Sequence, residues 1–306
     1  MPNNARNSEE ITRCLPIGEE IVLDHVGHFV RDPQAASRAL VHAGFAPTPV
    51  SIQANPDGTP TGTGNVTAML QRGYIEVLFK TADTPLGQEF DASISRYPGL
   101  HLAAFAVADA EAEHRRLGAA GFAMRPLVQF SRPVDTETGP GVAAFTVVRV
   151  ERAEMAEGRV QSLTHRTEDT VWQKRWLRHP NGVTGFLDLV IASADVAGAG
   201  ERFSRFTGRP QSANDYGIAV ALDRGRVQLT SVDDFARLFP GQTVPGLPFM
   251  GAYALQVESL DTAETILAAR PGARRDGDRL VVPFPEELGV GAWVFVENPA
   301  ALPWRR

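Results

Sequence analysis

The sequence predicts an α+β fold of four βαβββ modules. Three observations carry that prediction: a strand–helix unit that recurs at a fixed offset, an aspartate cap before each of the first two helices, and alternating apolar runs behind each helix.

The first module opens with LDHVGHFVRD, Leu23 to Asp32, which alternates like a strand. Asp32-Pro33 then supplies a side-chain acceptor at the N-cap and a proline at the first helical position. The helical stretch PQAASRALVHAGF stops at Gly44, a C-terminal glycine signal. In the second module LHLAAFAVAD, Leu100 to Asp109, leads into AEAEHRRLGAAGF. Each cap, Asp32 or Asp109, lies 13 residues before the phenylalanine that follows the helix, Phe45 or Phe122. Three apolar runs follow in each: APTPVSI, NVTAMLQ and GYIEVLF in the first, AMRPLVQF, VAAFTVVRV and GRVQSLTH in the second. Shorter copies start at FLDLVIAS and MGAYALQV, and GRVQLTSV from Gly225 echoes GRVQSLTH from Gly158. The Pro60-to-Asn65 segment, PTGTGN, reads as a loop without an assignable role.

Composition narrows the function. With 306 residues, 43% hydrophobic and 22% charged, the chain is globular and long enough for two domains. A net charge of −6 argues against nucleic acid and against an anionic membrane face. No apolar run is long enough to span a bilayer, and MPNNARNSEEITRCLPIGEE lacks a signal-peptide core, so the expected location is the cytoplasm. Cys14 is the only cysteine, which excludes an internal disulfide, a thiolate zinc site and an iron–sulfur cluster. Neither G-x-x-x-x-G-K-[ST] nor G-x-S-x-G occurs.

Four βαβββ units, with DHV in the first strand and GYIEV closing the first module, resemble the vicinal oxygen chelate superfamily, and within it the glyoxalase-like group. That superfamily includes glyoxalase I, extradiol dioxygenases, fosfomycin- and bleomycin-resistance proteins and epimerases. The resemblance implies that modules pair into two curled mixed β-sheets, each forming a cup. The expected layout is a tail over 1–20, an N-terminal glyoxalase-like domain over 21–182 (modules 21–98 and 99–182), and a C-terminal one over 183–306 (modules 183–247 and 248–306). It also implies a divalent metal in the cup: zinc, nickel, manganese or iron, held by imidazole and carboxylate.

Matched to the family's ligand positions, His25 in LDHV and Glu76 in RGYIEVLF supply the first pair. Gln161 in GRVQ stands where Glu76 stands in the first module, and His165 shares its strand face, as a ligand or a base. His101 is the fourth candidate ligand, yet the Asp caps align Leu102 with His25. A one-residue slip reverses the face, so the expectation that His101 reaches the cup requires a bulge after Pro98-Gly99. Glu76 and His165 are the candidate catalytic residues, and Arg132 and Arg149 the candidate partners of a substrate carboxylate. The second half has neither His nor Glu at the matching positions, which argues against the usual extradiol layout. Three readings stand: a metalloenzyme of lyase or isomerase type moving a proton on a small oxygenated metabolite; a non-catalytic small-molecule binding or resistance protein; and an iron-dependent dioxygenase. The partner is a small molecule, and a homodimer is left open.

Overall fold

The computed structural model describes residues 14–55 and 59–306; residues 1–13 of the expected tail, and Gly58 before the PTGTGN segment, lie outside the described residues. The first module comprises β1 (Ile21–Val30), α1 (Pro33–His42), β2 (Ser51–Ala54), β3 (Pro60–Met69) and β4 (Tyr74–Lys80), then α2 (Pro85–Arg96). The second comprises β5 (Gly99–Val107), α3 (Ala110–Ala119), β6 (Val128–Thr136), β7 (Gly139–Arg149) and β8 (Arg159–His165), then the short α4 (Glu168–Val171). The third runs through β9 (Val183–Ala192), α5 (Val196–Thr207), β10 (Gln211–Asn214), β11 (Gly217–Ala221) and β12 (Arg226–Thr230), then α6 (Val232–Leu238). The fourth contains β13 (Phe249–Val257), α7 (Leu260–Leu267), β14 (Arg274–Asp276), β15 (Arg279–Pro283) and β16 (Ala292–Val296).

The caps act as the sequence predicts. Asp32 accepts hydrogen bonds from the amides of Gln34 and Ala35, and Asp109 from that of Ala112. Each satisfies backbone donors that a helix start leaves without partners. Every module pairs its first strand in parallel with its last, as β1–β4, β5–β8, β9–β12 and β13–β16. Modules then join through antiparallel first strands, β1 with β5 and β9 with β13. In the first half the edges also meet, at Ala54 and Ser131, so eight strands close into a ring; the strands of the second half stay open.

Three differences from the sequence reading shape the site. First, PTGTGN is part of β3 and not a loop. Its glycines sit where a side chain has no room: a Cβ at Gly64 would meet the Phe79 ring at 2.5 Å, and one at Gly62 would overlap Thr84. The intervening Thr63 and Asn65 face the interior of the ring. Second, α2 was not foreseen. Thr84 caps it ahead of Pro85, and its Phe90 and Ile94 close the floor of the cup against Phe29, Leu78 and Leu102. Third, two bulges interrupt β1–β5, one at Asp24 and one at His101.

The halves share one apolar core and a polar joint. His28 Nδ1 donates to the Leu288 carbonyl at 2.9 Å, while its Nε2 accepts from the Tyr253 hydroxyl at 3.0 Å. Tyr253 in turn accepts from the Trp293 indole at 2.6 Å. Burial pushes the His28 imidazole down to about 4, outweighing the opposing bond to Leu288. The unfolded chain takes up this proton near 6.5 and the native state only near 4, so stability is complete above pH 6.5 and falls as pH drops towards 4. One such site contributes at most roughly 3 kcal/mol. Urea unfolding at pH 7 and pH 4.5 checks this, with His28→Phe expected to flatten the acid arm. Equal midpoints at the two pH values in the parent protein would contradict it.

Candidate active site

The ring of the first half encloses a cavity of about 80 Å³. Its polar wall comes from His25 on β1, Asn65 on β3, Glu76 on β4, Arg132 on β6, Arg149 on β7 and Gln161 on β8. Phe90, Leu102, Phe130, Phe145 and Leu163 supply an apolar body. Alternation puts these residues on one face: Glu76 and Leu78 point inward along β4, and Gln161 and Leu163 along β8.

Glu76 is buried and held from two sides. Asn65 Nδ2 donates to its Oε1 at 2.7 Å, and His25 Nε2 lies 3.5 Å from its Oε2. Burial alone would raise this carboxyl, but the bonds from His25 and Asn65 and the charge of Arg132 hold it below the usual carboxylate range. The His25 ring stacks on Tyr74 with centroids 4.1 Å apart. Its Nδ1 donates at 2.7 Å to Asp24, which is wholly buried. Burial opposes charge on this imidazole, yet Asp24 and Glu76 lift it to about 9, so His25 is a cation at neutral pH. Asp24 also accepts from His165 Nε2 at 3.2 Å, and the two histidines hold its carboxyl far below the ordinary range despite burial. The bulge at Asp24 produces this arrangement: the extra residue turns its carboxylate behind the wall while His25 faces the cavity.

Arg149 donates through Nε to the Gln161 amide oxygen at 3.1 Å and lies over Phe130. Burial, with the charge of Arg159 next, pushes Arg149 down to about 9, which leaves it protonated at neutral pH. Arg132 is lowered by burial as well. Neither forms an ion pair with a carboxylate among the described residues, a costly state for half-buried charge and one that a bound anion relieves.

Five of the seven sequence candidates therefore meet in one cavity: His25, Glu76, Gln161, Arg132 and Arg149. Two do not. His101 is corrected: its bulge exists, but the ring turns outward, stacks on Tyr97 at 4.2 Å and hydrogen-bonds the Tyr97 carbonyl at 2.6 Å. Leu102 faces the cup in its place. Tyr97 supplies the imidazole with a carbonyl acceptor that a position facing the apolar side chains of the cup would lack. His165 is also corrected: its side chain is closed off behind Asp24 by Trp172 and Phe145, so it positions Asp24 and does not reach the cavity. Asp24 and Asn65 were missed. The Asp24-His25 pair was visible in LDHV, whereas Asn65 was hidden by the loop reading.

A divalent ion in this wall would find two of the four expected side chains, His25 and Glu76. The Gln161 oxygen is already taken by Arg149, and the His25 nitrogen facing the cavity lies 3.5 Å from the Glu76 carboxylate. Three guanidiniums, those of Arg132, Arg149 and Arg159, line the same space. Among the described residues no group of three or more His, Cys, Asp or Glu side chains is placed to hold a metal. The residues present do not fit the metal that the superfamily resemblance implies.

The glyoxalase-like domain family matches residues 23–207. The chain belongs to that family. No curated protein matches it. Among solved structures, a hypothetical protein from Staphylococcus aureus aligns with TM-score 0.63 at 10% identity, covering 90% of this chain and 98% of its own. A mutant of 4-hydroxymandelate synthase from Streptomyces coelicolor aligns with TM-score 0.55 at 14% identity, over 94% of this chain and 97% of that one. A xylose isomerase-like TIM barrel/4-hydroxyphenylpyruvate dioxygenase fusion protein aligns with TM-score 0.54 at 12% identity, with 97% of this chain matched to 53% of that one. At these identities the likeness is one of fold: the glyoxalase-like arrangement of paired βαβββ modules. No helix among the described residues is long and apolar enough to cross a membrane.

Proposed function

We propose that the first cup of this glyoxalase-like protein binds a small organic acid with an apolar body, and that Glu76 exchanges a proton with it, a lyase- or isomerase-type step that uses no resident metal. The observation that carries this reading is the entry of Arg132 and Arg149 into the cavity that also holds Glu76, without an ion-paired carboxylate for either among the described residues. A ligand carboxylate is the group that two half-buried guanidiniums select. Bound there, the carbon next to a carboxyl or carbonyl group faces Glu76. That side chain accepts the proton, and the arginines stabilise the negative charge left on oxygen. His25, kept cationic by Asp24, and Asn65 hold the Glu76 carboxylate in place.

The binding-only reading draws support from Glu76 itself, because a carboxyl held low is a weak base. The dioxygenase reading has less support, since two side chains do not complete a facial triad. The test uses p-toluate as a binding probe in calorimetry and phenylpyruvate as an exchange probe, followed by proton NMR in deuterium oxide. The expected result is toluate binding, with solvent exchange of the phenylpyruvate C3 protons faster than in buffer. Glu76→Gln should slow that exchange about 10²- to 10⁴-fold while toluate still binds. Binding without accelerated exchange transfers the assignment to a binding protein, and no binding of either probe refutes the whole reading.

A further inference from the structure

Beside the cup lies a second cavity, of about 260 Å³, whose charged lining is Arg96, Arg125, Arg149, Arg152 and Arg159 together with Glu89 and Glu151. The neutral His101, displaced from the cup, lines it too. Arg149 and Arg159 line both cavities and form the partition between them. Five guanidiniums in one concave space are unusual in a chain whose net charge is −6.

The internal carboxylates do not neutralise this set. Glu89 pairs with Arg159 at 2.7 Å and Arg125 at 3.6 Å, and Glu151 approaches Arg125 at 3.9 Å. Arg96 is directed at the backbone carbonyls of Pro248 and Ala156. Among the described residues no carboxylate forms an ion pair with Arg96, Arg149 or Arg152. Arg159 lies over the rings of Phe29 and Phe90, 5.3 and 5.1 Å from their centroids.

We propose that this arginine cavity is the subsite for a dianionic tail, a phosphate or phosphonate, on the molecule whose carboxylate the cup takes. The proposal rests on the cup reading above and names the ligand class more narrowly: a small acid with an apolar body and a phosphoryl group. Guanidinium forks match the tetrahedral oxygens of such a group bidentately, and with Arg149 assigned to the carboxylate, Arg96 and Arg152 remain without carboxylate partners. A ligand spanning the partition meets Arg149 from the cup and Arg152 from the outer cavity.

The test compares p-toluate with 4-(phosphonomethyl)benzoate by calorimetry at fixed ionic strength. The phosphonate is expected to bind at least about tenfold more tightly, the effect of one additional charge-assisted contact. Arg152→Gln should remove most of that gain and Arg152→Lys should keep part of it. Arg152 carries no structural ion pair, so these variants report on the ligand and not on folding. Arg96→Gln serves as a second variant, with its melting temperature recorded. If toluate binds and the phosphonate binds no more tightly, the subsite is refuted while the cup reading stands. If neither binds, the cup reading falls and takes the subsite with it. A gain that persists undiminished in both glutamine variants also refutes the assignment.

Discussion

Asp24→Ala is expected to cost about 3–5 kcal/mol of folding free energy, because it breaks a buried ion pair from one side only. Asp24 is wholly buried and is the acceptor for both His25 and His165. Removing it strands the His25 cation between Glu76 and an apolar hole, and leaves His165 with neither nitrogen paired, since its Nδ1 already has no partner. The pH dependence identifies the cause. His25 is raised from 6.5 to about 9, so its contribution is complete below pH 6.5 and is lost as pH rises to 9. In the parent protein this gives an alkaline arm of at most roughly 3 kcal/mol; in Asp24→Ala the arm should shrink. Guanidinium unfolding at pH 6.5 and pH 9 measures both quantities. A loss below about 1 kcal/mol at pH 6.5, or an unchanged alkaline arm, would show that Asp24 does not hold His25 charged.

The modules were legible because their signals are local. An aspartate followed by Pro33 or by Ala110, and a Gly-Phe exit 13 residues later, specify each helix without reference to the rest of the chain. His25 and Glu76 were legible for a similar reason, since strand alternation fixes which residues share a face. What failed depends on distant partners. His101 faces outward because the register between β1 and β5 shifts at that residue and Tyr97 offers a carbonyl. His165 is absorbed by Asp24, 141 residues away in the chain. The glycines of β3 weaken its strand signal although its threonines favour it, and the Phe79 and Thr84 side chains, which leave no room for a Cβ, explain them. The arginine cavity gathers five residues from α2 to β8 whose scatter in sequence concealed their charge.

The second half repeats the geometry and closes it. Asp188, in LDLV, stands on β9 as Asp24 stands on β1, again beside a register shift. Here the chain's own C-terminal turn takes its carboxylate. The Trp304 indole donates to Asp188 at 2.8 Å, and Arg305 donates to both of its oxygens at 2.8 and 2.5 Å. Leu302 and Trp304 pack with Phe235 and Leu238 of α6 and with Phe239 just after it, the counterpart of Phe90 and Ile94 of α2 in the first cup. The two cups therefore diverge in one physical respect: the second fills its concavity with side chains, whereas the first leaves unpaired arginines facing space.

That divergence yields the other large effect. Trp304→Ala is expected to destabilise the protein by about 3–5 kcal/mol, the range for deleting a large aromatic side chain from a core. Trp304 is 1% exposed and its indole nitrogen serves Asp188, so the cost combines a cavity with a lost hydrogen bond. Trp304→Phe restores most of the volume and none of the bond, so the difference between the two variants measures the packing share. Toluate affinity in either variant should match that of the parent protein at temperatures where it is folded, because Trp304 belongs to the second cup. Denaturant unfolding and calorimetry on the same preparations decide it. A cost near zero would mean that the C-terminal turn does not close the cup in solution, and a tenfold loss of toluate affinity would mean that the two cups are coupled through β5 and β13. The shared core makes global stability common to both halves, yet among the described residues no hydrogen bond, ion pair or ring contact links Trp304 to Glu76, Arg132 or Arg149. On that separation rests the expectation that stability falls while binding holds.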